Sequence, residues 1–190
     1  MLILASTSRY RAQLLERLGL PFDVMAPGVE ESPLLREVPL ERAQRLALAK
    51  ATAVSTLHPD ATVIGSDQVA VCKGEVLGKP GDARECREQL QRLSGSTAIF
   101  HTALAVLDGA RQATVQVVDT TTVYFRALEP REIERYVEID RPLDCAGSFK
   151  SEALGIALFT RIVSEDPTAL IGLPLIALAR ALRQVGYELP

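Results

Sequence analysis

The chain has 190 residues, 47% hydrophobic and 24% charged, which suits one sizeable core or two small lobes sharing one. A net charge of −3 offers no bulk attraction to nucleic acid or to an acidic membrane surface, so any anion site must be a local cluster of Lys and Arg. Three cysteines (Cys72, Cys86 and Cys145) without a CxxC pair, and only two histidines, argue against a Cys/His zinc site and read as reduced, structural thiols of a cytoplasmic protein. The apolar run in MLILASTSRYR is too short for a signal-peptide core, and no segment approaches the roughly 20 apolar residues that span a bilayer.

In chain order, LILAS predicts a buried strand from Leu2 to Ala5. TSRYRAQLLERLG predicts a helix, with Leu14, Leu15 and Leu18 at helical spacing and Gly19 as its C-cap. PFDVMAP reads as a second strand and GVEESPLLREVP as a polar, proline-punctuated loop. LERAQRLALAKATAVSTL is a strong helix with an apolar stripe through Leu46, Ala49, Ala53 and Leu57. DATVIGSDQVAVCKGEVLGKP reads as strand, break, strand, a turn at Lys73-Gly74 and a short return strand. A helix capped by Asp82 follows. Next comes a long antiparallel series with a hairpin at Asp108-Gly109. EPREIERYVEI is a helix with Pro130 in its first turn, and IGLPLIALARALRQVG is the closing helix. The pattern is a mixed α/β domain, 1–190, with an antiparallel-rich sheet in one or two lobes.

Four stretches carry candidate chemistry. STSRYR gathers Ser6, Thr7, Ser8, Arg9 and Arg11 at a helix N-terminus, where free N–H groups and guanidinium forks favour an anion such as phosphate. Helix capping with solvated arginines is the plainer reading. GSDQ sets Asp67 between runs of Val, Ile and Ala, where an unpaired carboxylate is costly to bury. Asp67 is then paired, bound to a cation, acting as a general base, or turned to solvent on a β-bulge. Lys79, between Gly78 and Pro80, suits a phosphate, an ion pair with Asp67 or a plain turn, and Lys50 interrupts an apolar helical stripe, so its head must snorkel or find an anion. CAGSFKSEALGIALF is either a connecting loop or a base- or sugar-recognition loop, with Phe149 to stack and Glu152 to accept hydrogen bonds. EDPTALIGLPL reads as structural. Basic groups and carboxylates without a Cys/His pair fit metal-assisted hydrolysis of a phosphoanhydride, and no Walker A signature is present.

The ordered set LILASTSRYRAQLL, EESP, LALAKA, VIGSDQV, GKP, CAGSFKSEALGI and DPTALIGLPL resembles the Maf proteins along essentially the whole chain. The resemblance implies an elongated, mixed α/β fold similar to inosine-triphosphate pyrophosphatases, with a deep cleft between two lobes, often as a homodimer. It also implies a cytoplasmic pyrophosphatase that cleaves a nucleoside triphosphate between the α- and β-phosphates with a divalent metal, Mg2+ or Mn2+. Asp67 matches the family's proton acceptor. Ser8, Arg11, Lys50 and Lys79 match positions around the phosphates, and Glu31 with Asp67 those around the metal. GSDQ with GSFKSE is similar to the YceF-like subgroup, which prefers 7-methyl-GTP and whose specificity positions map onto Tyr10, Gln68 and Glu152. Relatives with GADT prefer dTTP and UTP. An aromatic face at Tyr10 and a carboxylate at Glu152 suit a cationic methylated guanine. The chain departs from the pattern at Arg9, where relatives have Pro, and at Tyr10, where the subgroup has Trp. The implied role is to keep modified nucleotides out of nucleic acids. The alternatives are a Maf pyrophosphatase of the dTTP/UTP/CTP type and a nucleotide-binding regulator of cell division and septum formation.

Overall fold

In the computed structural model, which describes residues 1–190, strand β1 (Leu2–Ala5) is buried along its whole length. It pairs in parallel with β2 (Asp23–Met25) and with β3 (Thr62–Cys72). A parallel strand covered on both faces has no solvent side, which is why LILA is continuously apolar. β3 returns through Lys73 and Gly74, both at positive φ (50° and 83°), into the antiparallel β4 (Glu75–Leu77). Strands β5 (Thr97–Asp108), β6 (Ala113–Phe125) and β7 (Phe159–Val163) complete a mixed seven-stranded sheet. Its order is β2-β1-β3-β5-β6-β7, with β4 paired to β3 off this path.

Five helices accompany the sheet: α1 (Arg9–Glu16), α2 (Pro39–Leu57), α3 (Ala83–Leu93), α4 (Pro130–Asp140) and α5 (Leu175–Gln184). Their starts follow local chemistry. Asp82 caps α3 by accepting from the Glu85 N–H at 2.8 Å, and α4 opens with Pro130 inside a Glu129/Glu132 capping box.

The chain forms two compact units. The first comprises Met1–Gln68, His101–Asp119 and Asp166–Pro190, and its core packs Leu4, Leu15, Ile64, Leu104, Leu173 and Leu178. The second comprises Val69–Phe100 and Thr120–Glu165. There Phe100, Phe125, Phe149 and Phe159 meet edge to face, with ring centroids 4.8 Å apart at the closest pair.

The structure corrects several expectations. β3 is one unbroken strand, with Gly65 inside it. The buried face of α2 runs through Ala43, Leu46, Ala47, Lys50, Ala51 and Val54, while Leu57 at the end of the expected stripe is 70% exposed. The two corrections share a cause. A Cβ on Gly65 would lie 2.2 Å from the Ala47 carbonyl oxygen and 2.7 Å from the Ala51 nitrogen, so the helix rests directly on the strand backbone through its alanines. The hairpin expected at Asp108-Gly109 is present, β5 ending at Asp108 and the turn running through residues 109–112. There the Gly109 N–H donates to the Ala61 carbonyl, and buried Asp108 accepts from Thr62 Oγ1 at 2.7 Å and from the Arg111 N–H at 2.8 Å. α1 stops at Glu16, ahead of Gly19 (φ 68°). The closing helix starts only at Leu175, after a 3-10 turn at Ala169–Ile171, with Asp166 accepting from the Ile176 and Ala177 N–H groups. β7 was not expected from the sequence, because its five residues are mostly exposed and show no apolar alternation.

Candidate active site

Side chains alternate along β3, so Gly65 and Asp67 share one face while Ser66 and Gln68 share the other. α2 covers the Gly65 face. Because Gly65 lets Ala47 and Ala51 touch the strand, Lys50, beside Ala51 on the same helix, reaches Asp67: Nζ lies 2.7 Å from Asp67 Oδ1. The same ammonium lies 2.6 Å from Oε1 of Glu31, on the loop before α2. Lys50 and Asp67 are only 6% and 7% exposed, whereas the Glu31 side chain is 58% exposed. Asp67 is therefore not turned to solvent on a bulge, and its ion-pair partner is Lys50. A buried lysine is tolerable here because two carboxylates compensate its charge.

Arg11 joins this group electrostatically. Burial lowers its pKa, and the carboxylates of Asp67 and Glu31 act against that shift. Its Nε donates to the Gly172 carbonyl at 2.8 Å and its Nη1 to Ser6 Oγ at 3.4 Å. Ser8 caps α1, its Oγ accepting from the Arg11 N–H at 3.4 Å. Half-buried Tyr10 carries the Arg9 guanidinium over its ring at 4.8 Å, and Arg9 Nη2 donates to the Tyr10 hydroxyl at 2.8 Å.

On the opposite face of β3, Ser66 Oγ donates to the Gly172 carbonyl at 2.9 Å. Gln68 Nε2 lies 2.9 Å from Thr102 Oγ1 and 3.0 and 3.1 Å from the Ala169 and Leu170 carbonyls. EDPTALIGLPL is thus more than a connection, since its backbone supplies the acceptors that hold Arg11, Ser66 and Gln68. The sequence reading missed this contribution, whose one local signal is Gly172 before Leu173-Pro174, at φ 123°, a conformation that favours glycine.

The Glu31 loop is strapped to α2. Arg42 Nη2 donates to the Glu31 carbonyl at 2.9 Å, Arg45 Nη2 donates to the Ser32 carbonyl at 3.1 Å, and Arg45 also pairs with Glu37. Glu30 is engaged differently from Glu31: its Oε1 accepts from the Ser32 N–H at 2.9 Å and from the Ser32 hydroxyl at 2.6 Å, which lowers its pKa. The Arg45 hydrogen bond lowers the Glu37 pKa from 4.5 to about 2. A carboxylate depressed on folding contributes stability that is present above 4.5 and lost as pH falls toward 2. A carbon-detected NMR titration should therefore place the Glu37 midpoint near 2, and Arg45→Gln should return it toward 4.5. An unchanged midpoint in the variant would break the assigned cause.

No group of three or more His, Cys, Asp or Glu side chains comes together to hold a metal. The relevant donor set is Glu31 with Asp67, two carboxylates already sharing one cation, the Lys50 ammonium. That set fits a hard divalent cation whose coordination is completed by substrate phosphates and water, as is usual for Mg2+, and not a preformed protein cage.

Tyr10, Ser8, Arg11, Glu31, Lys50, Asp67 and Gln68 all belong to the first unit, and Lys79 and Glu152 to the second. Lys79 is exposed and, with Gly78, Pro80, Glu85, Glu88, Gln89 and Arg92, lines a cavity of about 300 Å³. Glu152 is exposed on the turn before the 3-10 helix Leu154–Leu158. Phe149 is not free to stack on a base, being 5% exposed within the phenylalanine cluster. Neighbouring Ser148 donates to Gln89 Oε1 at 2.7 Å, and Lys150 Nζ donates to the Asp140 carbonyl at 2.6 Å.

A family model described as "Maf-like protein" matches residues 1–185. The chain belongs to the Maf family. Among curated relatives, a 7-methyl-GTP pyrophosphatase of Aromatoleum aromaticum is 57% identical over 190 residues, covering 100% of this chain and 97% of the relative. One from Xanthomonas oryzae pv. oryzae is 55% identical over 100% and 98% of the two chains, and one from Bordetella pertussis 52% identical over 98% and 93%. Among solved structures, the Ham1 protein of Staphylococcus aureus superposes with a TM-score of 0.52 at 14% identity, over 96% of this chain and 98% of that one. That likeness gives the Maf-family chain the same fold as Ham1 and nothing beyond it. No helix is long and apolar enough to cross a membrane.

Proposed function

We propose that this Maf-family chain is a cytoplasmic nucleoside triphosphate pyrophosphatase that converts 7-methyl-GTP and water to 7-methyl-GMP and pyrophosphate. The reading rests on one observation above the rest: a buried carboxylate, Asp67, held by a buried lysine beside an exposed carboxylate and a half-buried arginine, Arg11. Asp67 takes a proton from the attacking water, the water oxygen bonds to phosphorus, and the bond between the α- and β-phosphates breaks to release pyrophosphate. Lys50 orients Asp67 through the charge-assisted hydrogen bond that its ammonium donates to Asp67 Oδ1. Arg11, with Ser8 and Lys79, binds the phosphates through charge-assisted hydrogen bonds. Glu31 and Asp67 would hold Mg2+ or Mn2+, which when bound supplies charge neutralisation on the triphosphate. Tyr10, Gln68 and Glu152 select the base. The names of the 52–57% identical relatives support the choice of 7-methyl-GTP.

The test is a nucleotide panel scored by product. Purified protein with magnesium or manganese should release pyrophosphate, not orthophosphate, and should favour 7-methyl-GTP over GTP, dTTP, UTP and CTP. Orthophosphate as the first product would sink the chemistry. A preference for dTTP, UTP or CTP would sink the base assignment alone.

A further inference from the structure

Gln68 has an amide with one end fully used. Its Nε2 meets Thr102 Oγ1 and the carbonyls of Ala169 and Leu170. Carbonyl oxygens only accept, so the NH2 end alone can face them, and the network settles which way the amide points. Thr102 is fully buried, and its hydroxyl donates to the same Ala169 carbonyl at 3.0 Å while accepting from Gln68. The Gln68 Oε1 accepts no hydrogen bond within the chain and is not among the buried unsatisfied atoms, although Gln68 is half-buried next to Asp67. An amide clamped by its donor end therefore offers a ligand an acceptor only.

We propose that Thr102 is a positioning residue for base selection. With the Ala169 and Leu170 carbonyls, it holds Gln68 so that the carbonyl oxygen alone reads the base, and it reads donors. The proposal rests on the nucleotide-pyrophosphatase reading above. 7-Methylguanine presents N–H donors at N1 and at its exocyclic amine, and a rigid acceptor discriminates against a base from which such a donor has been removed. Free rotation of the amide would erase that discrimination, because the NH2 end could then turn to meet an acceptor on the base. The sequence holds no sign of this arrangement, since Thr102 lies 34 residues from Gln68 and the two carbonyls about a hundred.

The experiment compares 7-methyl-GTP with 7-methyl-inosine triphosphate, which lacks only the exocyclic amine, on the wild type, Thr102→Val and Thr102→Ser. Wild type should favour 7-methyl-GTP by roughly tenfold in kcat/KM, carried mainly by KM. Thr102→Val keeps the volume but loses both hydrogen bonds, so the preference should fall by about threefold or more, with KM for 7-methyl-GTP rising more than kcat changes. Thr102→Ser keeps the hydroxyl and should restore the preference. A Val variant with the wild-type preference, or a Ser variant as impaired as Val, overturns the proposal. Side-chain amide exchange by NMR provides a readout on the wild type alone, with the Gln68 NH2 assigned by its loss in Gln68→Ala. Those protons should be protected, and free exchange overturns the proposal even if Thr102→Val does not fold. A wild type that releases no pyrophosphate from 7-methyl-GTP brings down the enzymatic reading itself. Normal turnover with an unaltered preference in Thr102→Val brings down only the role of Thr102.

Discussion

Asp67→Asn should lower kcat for pyrophosphate release by about 10²- to 10⁴-fold, the usual range for losing a general base. Asparagine keeps the shape, and its Oδ1 still accepts from Lys50, so KM for the nucleotide should move far less than kcat. A stability cost accompanies the change. Lys50 is 6% exposed and would keep only Glu31 as a charged partner, and the loss of a charge-assisted bond costs about 1–3 kcal/mol. For a chain of this size that is a drop of roughly 2–12 °C in Tm, small enough for activity to be assayed on folded protein at 25 °C. Steady-state pyrophosphate release and a thermal melt on the same preparation separate the two effects. Full activity in the variant would show that another group takes the proton.

Gly65→Ala should be strongly damaging to the first unit. Its Cβ would stand 2.2 Å from the Ala47 carbonyl oxygen, 2.7 Å from the Ala51 nitrogen and 2.9 Å from the Ala51 Cβ. None of these is the far end of a flexible side chain, so the strand and helix must part. Overpacking against backbone lies at or above the top of the usual range, about 3 kcal/mol, or roughly 6–12 °C in Tm. Separation of α2 from β3 would also draw Lys50 away from Asp67, so the folded fraction should show reduced kcat. Ala51→Gly in the same chain relieves only the Ala51 Cβ contact and should recover little, because the Ala47 oxygen remains. A Gly65→Ala protein with wild-type Tm would mean that the helix does not rest on the strand as described.

The local elements were largely legible in advance. β1 was visible as a continuous apolar run, α3 through the Asp82 cap, α4 through Pro130, and the β3–β4 turn through Lys73-Gly74, because each depends on neighbours within a few residues. β7 was not, since an exposed edge strand shows no pattern of burial. Phe149 was misjudged for the converse reason: an aromatic residue between polar neighbours gives no sign that three other rings enclose it.

By itself the sequence determined that Asp67 could not stand alone in an apolar strand and that Lys50 needed an anion, because burying an unpaired charge is costly wherever it occurs. The ordered motifs determined the family. Only the tertiary structure decided that these two residues answer each other, 17 positions apart, and that Glu31 shares the lysine. That choice depends on how closely a helix can lie on a strand, and here the missing side chain of Gly65 sets the distance. The same limit applies to Gln68. Its identity was plain from the sequence, but its working end is chosen by Thr102 and two carbonyls that folding brings from distant parts of the chain.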